Sequence, residues 1–101
     1  MLKRWYELSP DVCIVISKIE MAHEDDRVRY AKKIMLELRK YGYVPQPQLY
    51  MDRVRTYSMR RWYDGNRIVF LAFEYLKDAE KNIQENVVNS VLGYMNHENA
   101  A

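Results

Sequence analysis

The sequence has one cysteine, three glycines, three prolines and two phenylalanines in 101 residues, and no run of ~18 uncharged apolar residues. Each shortage excludes something. Cys13 has no second thiol in the chain to pair with, and its neighbours Val12, Ile14, Val15 and Ile16 are those of a buried structural thiol, which fits a reducing cytoplasm. Gly42, Gly65 and Gly93 stand too far apart to make a glycine-rich phosphate loop. No segment is a candidate for a membrane span. Met1 to Glu7 starts basic but has neither an apolar h-region nor a cleavage site, so secretion is not expected.

Repeats, low-complexity tracts and linkers are also missing. The one proline cluster, Val44-Pro45-Gln46-Pro47, is short enough for an ordinary connection. The expectation is a single domain over 1–101, with 1–8 as an N-terminal arm and 97–101 as a frayed tail.

What is present suits a folded chain. Hydrophobic residues make up 49% and charged residues 30%, and a chain of this length buries roughly two-thirds of its unfolded surface. The net charge is only +2, but Arg53, Arg55, Arg60, Arg61 and Arg67 stand against Asp52 and Asp64, so Tyr50 to Arg67 alone carries +3.

Val12 to Ile19 is a β-branched run that suits a strand buried on both faces; Ser9-Pro10-Asp11 before it suits a helix start instead, and both readings stand. Asp25 or Asp26 can cap a helix whose Val28, Ala31, Ile34, Met35 and Leu38 recur at three- and four-residue spacing up to Gly42. Its other face, with Arg29, Lys32, Lys33, Glu37 and Lys40, reads as solvated. Leu49 to Tyr63 fits either period. Asp64-Gly65-Asn66 signals a type I′ turn, and Ile68 to Phe73 behind it signals a strand, which predicts a hairpin of Arg55–Tyr63 and Arg67–Tyr75. Lys77-Asp78 then opens a helix with Ala79, Ile83, Val87, Val91 and Tyr94 on one stripe, ending near Gly93 to Asn96.

The expected fold is therefore α+β, a ferredoxin-like βαββα arrangement with an antiparallel sheet and two helices on one face; an all-α helical bundle is the alternative if both ambiguous segments are helical. Leu38 to Val44, Phe70 to Glu74 and Lys77 to Ile83 resemble the first helix end, third strand and second helix of the RNA recognition motif family, a resemblance spanning roughly Val12 to Ile83. Ile68 stands where that family carries a stacking aromatic, Phe70 alone matches a stacking position, and Val12 to Ile16 has no aromatic. The resemblance implies the fold rather than base stacking on a sheet.

Three function classes follow. The basic hairpin is a candidate nucleic-acid site, for RNA or DNA, with Arg53, Arg55, Arg60, Arg61 and Arg67 on phosphates and Tyr57, Trp62 or Tyr63 as stacking faces. Ile68, Phe70 and Ala72 form one apolar face of the expected strand while Val69, Leu71 and Phe73 form the other, so a second subunit is expected on Ile68, Phe70 and Ala72, making a homodimer; a protein-interaction adaptor without a nucleic-acid role is the alternative. Enzymatic chemistry is not expected. Glu20, His23, Glu24, Asp25 and Asp26 lack a metal-ligand spacing, His97 falls in the tail, and no cofactor motif occurs. The methionines and the nine tyrosines read as packing and core-edge cover.

Overall fold

A computed structural model describes residues 4–43, 62–63 and 65–100. A short 3-10 turn, Trp5–Leu8, precedes four helices: α1 Pro10–Glu20, α2 Glu24–Lys40, α3 Arg67–Asp78 and α4 Lys81–Ala100. Among the described residues there is no strand, so the ferredoxin-like βαββα reading and the likeness to the RNA recognition motif are both overturned in favour of the helical bundle.

The run Val12 to Ile19 is helical. Val12, Val15, Ile16 and Ile19 are buried at helical spacing while Ile14, Ser17 and Lys18 face out. The β preference of Val and Ile spans only about 1 kcal/mol and yields to the burial of a helical stripe. Ser9 at the N-cap and Pro10 at the first helical position were the decisive local signal.

The hairpin is overturned for a related reason. A type I′ turn needs positive φ at both central residues, and among the described residues Gly42, not Gly65, is the glycine with positive φ. The turn signal is instead an entry to α3: the Asn66 side chain accepts from the N–H groups of Ile68 (3.0 Å) and Val69 (3.2 Å). The proposed second strand, Arg67–Tyr75, lies within α3. Of the proposed first strand, Arg55–Tyr63, only Trp62 and Tyr63 fall within the described residues.

Eight consecutive residues of α3, Val69 to Leu76, are buried. The apolar run Ile68 to Phe73 within this helix is a pattern it shares with a buried strand. Lys77-Asp78 ends this helix rather than opening the next; Ala79 and Glu80 separate it from α4, which continues through Gly93 to Ala100.

The second helix matches its expectation closely. In α2, Ala31, Ile34 and Leu38 are buried and Val28 and Met35 pack partly against the core. His23 is its N-cap, with Glu24, Asp25 and Asp26 in the first turn and Arg39 and Lys40 in the last, each sign matched to the helix dipole. Gly42, at φ 88°, reverses the chain while its N–H reaches Arg39 O (3.0 Å) and the Tyr43 N–H reaches Leu38 O (3.2 Å), the two bonds of a Schellman motif. Glu37 departs from its expected solvated face and is buried.

Helix α2 packs on α1, α3 and α4, and α1 packs also on α4 and on the Trp5–Leu8 turn. One core results, filled by Phe70 and Phe73, by Ile16, Ile19, Ile34 and Leu38, and by Val87, Val88, Val91 and Met95 of α4. The carbonyls at the end of α3 are closed from α4. Gln84 Nε2 donates towards Leu76 O (2.9 Å), Lys77 O (3.1 Å) and Ala79 O (3.1 Å), sharing two hydrogens among three acceptors.

Replacing this amide tests the closure. Gln84→Leu keeps the bulk and removes the donors, and should lower the urea-unfolding free energy by about 1–3 kcal/mol with an unchanged slope. A variant as stable as the wild type would show that water serves those carbonyls equally well.

Candidate interaction surfaces

Among the described residues, side chains collect at the surface in three places that differ in how fully their polar groups are already used. The first joins the end of α1, the start of α2 and the start of α3. Arg27 Nε donates to Ile19 O at 3.3 Å and Nη2 donates to Glu20 O, so one guanidinium closes the end of α1. Its Cζ lies 5.1 Å from the Trp62 ring centroid, and Nη1 reaches Glu24 Oε2 at 3.5 Å. Glu24 Oε1 accepts from Asn66 Nδ2 at 2.6 Å, which ties the cap of α3 to the first turn of α2. A cavity of about 200 Å³ opens among Arg27, Trp62, Tyr63 and Asn66. Its guanidinium, amide and carboxylate are occupied in holding helix ends.

The second place is an open groove of about 250 Å³ beside the end of α1, lined by Lys18, Met21, Ala22, Tyr30 and Met95. Met21 is 89% exposed and Ile14, two turns earlier on the same face, is 48% exposed, with Lys18 between them. Met95 closes the groove from α4 and is itself buried.

Behind the groove, α2 and α4 are joined by a polar and aromatic clasp. Arg29 bridges Asp26 (2.6 Å) and Glu98 (2.5 Å), Tyr30 donates to Glu98 Oε2 (3.4 Å), and the Tyr30 and Tyr94 rings meet edge to face at 6.2 Å. Burial, and then the neighbouring Glu98 carboxylate, raise the Tyr30 phenol above its ordinary value. The segment expected to fray as a tail thus carries an ion pair into the helix.

The third place is the outer face of α2. Lys33 (3.2 Å) and Lys40 (3.1 Å) both reach Glu37 Oε1. Burial works against ionising Glu37, but the two ammonium groups outweigh it and hold the carboxyl below its ordinary value. Lys32 and Arg39 are exposed and have no carboxylate among the described residues.

The residues expected to form sites are distributed differently. Arg53, Arg55, Tyr57, Arg60 and Arg61 lie outside the described residues. Arg67 is exposed at the first position of α3, whereas Trp62 packs edge to face on Tyr63 (5.3 Å) and Phe73 (5.5 Å), so its ring serves the core edge. Phe70 and Ala72 are buried in the core and Ile68 is half-buried beside it. With Ile68, Phe70 and Ala72 in a helix, they do not form one face of a strand. Met21 and Leu36, both exposed, carry no motif by which the sequence alone marks them.

Among the described residues no three His, Cys, Asp or Glu side chains come together to hold a metal ion, and no helix is long and apolar enough to cross a membrane. Comparisons with protein-family models, curated proteins and solved structures find no match to the chain.

Two predictions follow from these geometries. Arg27→Met keeps a flexible stem but removes the donors at the end of α1 and the cation over Trp62; a loss of about 1–3 kcal/mol and a shifted Trp emission spectrum are expected. For Glu37, a lowered folded pKa means a contribution that is complete above the ordinary carboxylate range and is lost as pH falls through the folded value. The stability gap between wild type and Glu37→Gln should therefore narrow between about pH 6 and about pH 3, and a gap independent of pH would contradict the assignment.

Proposed function

We propose that this chain is a non-enzymatic protein-interaction module that meets another polypeptide through the outer face of α1, with a second copy of the chain as the first partner. The observation that carries this reading is Met21, 89% exposed at the rim of the groove, with Ile14 on the same face. Single exposed apolar residues are ordinary. Two on one helical face beside a groove, one of them an adaptable methionine, have the composition of an interface core.

The geometry of α1 also favours a self-complementary contact. Two copies paired antiparallel with Ile14 opposite Met21 set Lys18 opposite Ser17, so lysines do not face each other at the centre. The reading places the protein in the cytoplasm, where half-buried Cys13 stays a thiol. The titratable groups with displaced pKa values in α2, Arg29, Tyr30 and Glu37, are tied into pairs that hold helices or helix faces, which suits a binding role better than catalysis.

The test is the mass of the purified chain by light scattering across a concentration series. Met21→Glu and Ile14→Glu should each weaken association at least about tenfold, the equivalent of about 1.4 kcal/mol, with helix content unchanged by circular dichroism. A wild type that stays monomeric throughout, or variants that associate as it does, would remove the α1 face as a self-association surface.

A further inference from the structure

Leu36 is 54% exposed in the middle of α2. Residues three and four positions away on a helix are its surface neighbours, and for Leu36 these are Lys32, Lys33, Arg39 and Lys40, so every one is a cation. Between Lys32 and Lys40 the only carboxylate is Glu37, which leaves a local charge of +3 on a chain whose net charge is +2. Lys33 and Lys40 share Glu37, while Lys32 and Arg39 have no carboxylate among the described residues. None of these residues lines the groove beside α1.

We infer that this face docks an acidic protein segment carrying an apolar anchor, an amphipathic helix whose carboxylates surround one or two large apolar side chains. The charge supplies the complement: Lys32 and Arg39, the two cations not spent on Glu37, flank one exposed leucine and call for the inverse arrangement, carboxylates beside an apolar centre. Phosphates of a nucleic acid would satisfy Lys32 and Arg39 but leave Leu36 without an apolar partner, and a single leucine is a small anchor for a lipid surface, where an amphipathic helix inserts a whole apolar face. This second surface lies beyond the α1 contact. A chain that used both would bring two polypeptides together.

The probe is a fluorescein-labelled helical peptide of Leu and Glu, with leucines on one stripe and glutamates flanking them, compared with polyglutamate of equal charge. Fluorescence anisotropy on the full chain should show binding of the Leu/Glu peptide that weakens tenfold or more with Lys32→Glu, with Arg39→Glu and with Leu36→Gln, and weakens as salt is raised. Polyglutamate should bind at least tenfold more weakly. Each substitution is at an exposed helical position, and unchanged helix content by circular dichroism verifies the fold. Failure of the Leu/Glu peptide to bind, equal binding of polyglutamate, or insensitivity to Lys32→Glu and Leu36→Gln would each overturn the inference. Tighter binding of a single-stranded RNA of equal charge, or of phosphatidylserine vesicles, would overturn it too and reassign the face. Loss of self-association in Met21→Glu with peptide binding intact would separate this surface from the one on α1.

Discussion

A helix buried through its middle has to be surrounded, and α3 is that element, its exposed residues Arg67 and Asp78 standing at its two ends. Val69 to Leu76 are buried without a break, Glu74 among them, so the rest of the chain has to enclose them. Enclosure also strands the polar groups at its two ends. Each end is met by a side chain tied to another helix: Asn66 caps the first turn and is itself held by Glu24 of α2, and Gln84 of α4 covers the last carbonyls. Burial of the middle and capping of the ends are one constraint, because peptide groups removed from water need replacements.

The same logic explains where Arg27 is spent. Helix α1 ends only a few residues before α2 begins, so its last carbonyls turn towards the first turn of α2. A guanidinium carries donors enough to reach Ile19 O, Glu20 O and Glu24 together, with its face still free for Trp62. A lysine at this position could not span the three acceptors and the ring in one plane. What looks like a small polar cavity is therefore the junction of three helix ends, and its chemistry is used up within the fold.

How much of this was legible in the sequence depends on how one-sided each helix is. Helix α2 has one buried stripe, an acidic start, a basic end and Gly42 at the reversal, and every level of signal agrees. In α1 the stripe Val12, Val15, Ile16 and Ile19 was present, but β-branched neighbours obscured it and the Ser9-Pro10 entry was outweighed. In α3 the apolar run Ile68 to Phe73 has the pattern of a buried strand, and Asp64-Gly65 offered a hairpin signal that Asn66, as an N-cap, turned to another use. The candidate surfaces were harder still. That Met21 lies outside the core follows only once α1 is a helix, and the buried place of Glu37 between two lysines requires the register of α2 against its neighbours.

The cations around Leu36 do not all ask for the same explanation. Arg39 and Lys40 occupy the last turn of α2, where positive charge favours the helix dipole, and Lys33 and Lys40 neutralise the buried Glu37. Fold stability alone accounts for those three. It does not account for Lys32, which sits mid-helix with no carboxylate among the described residues, or for Leu36, whose half-exposed side chain has every position around it charged. Lys32 and Leu36 are thus where the demands of folding and of recognition come apart on α2, and a difference in partner binding without a difference in stability is the signature that separates the two.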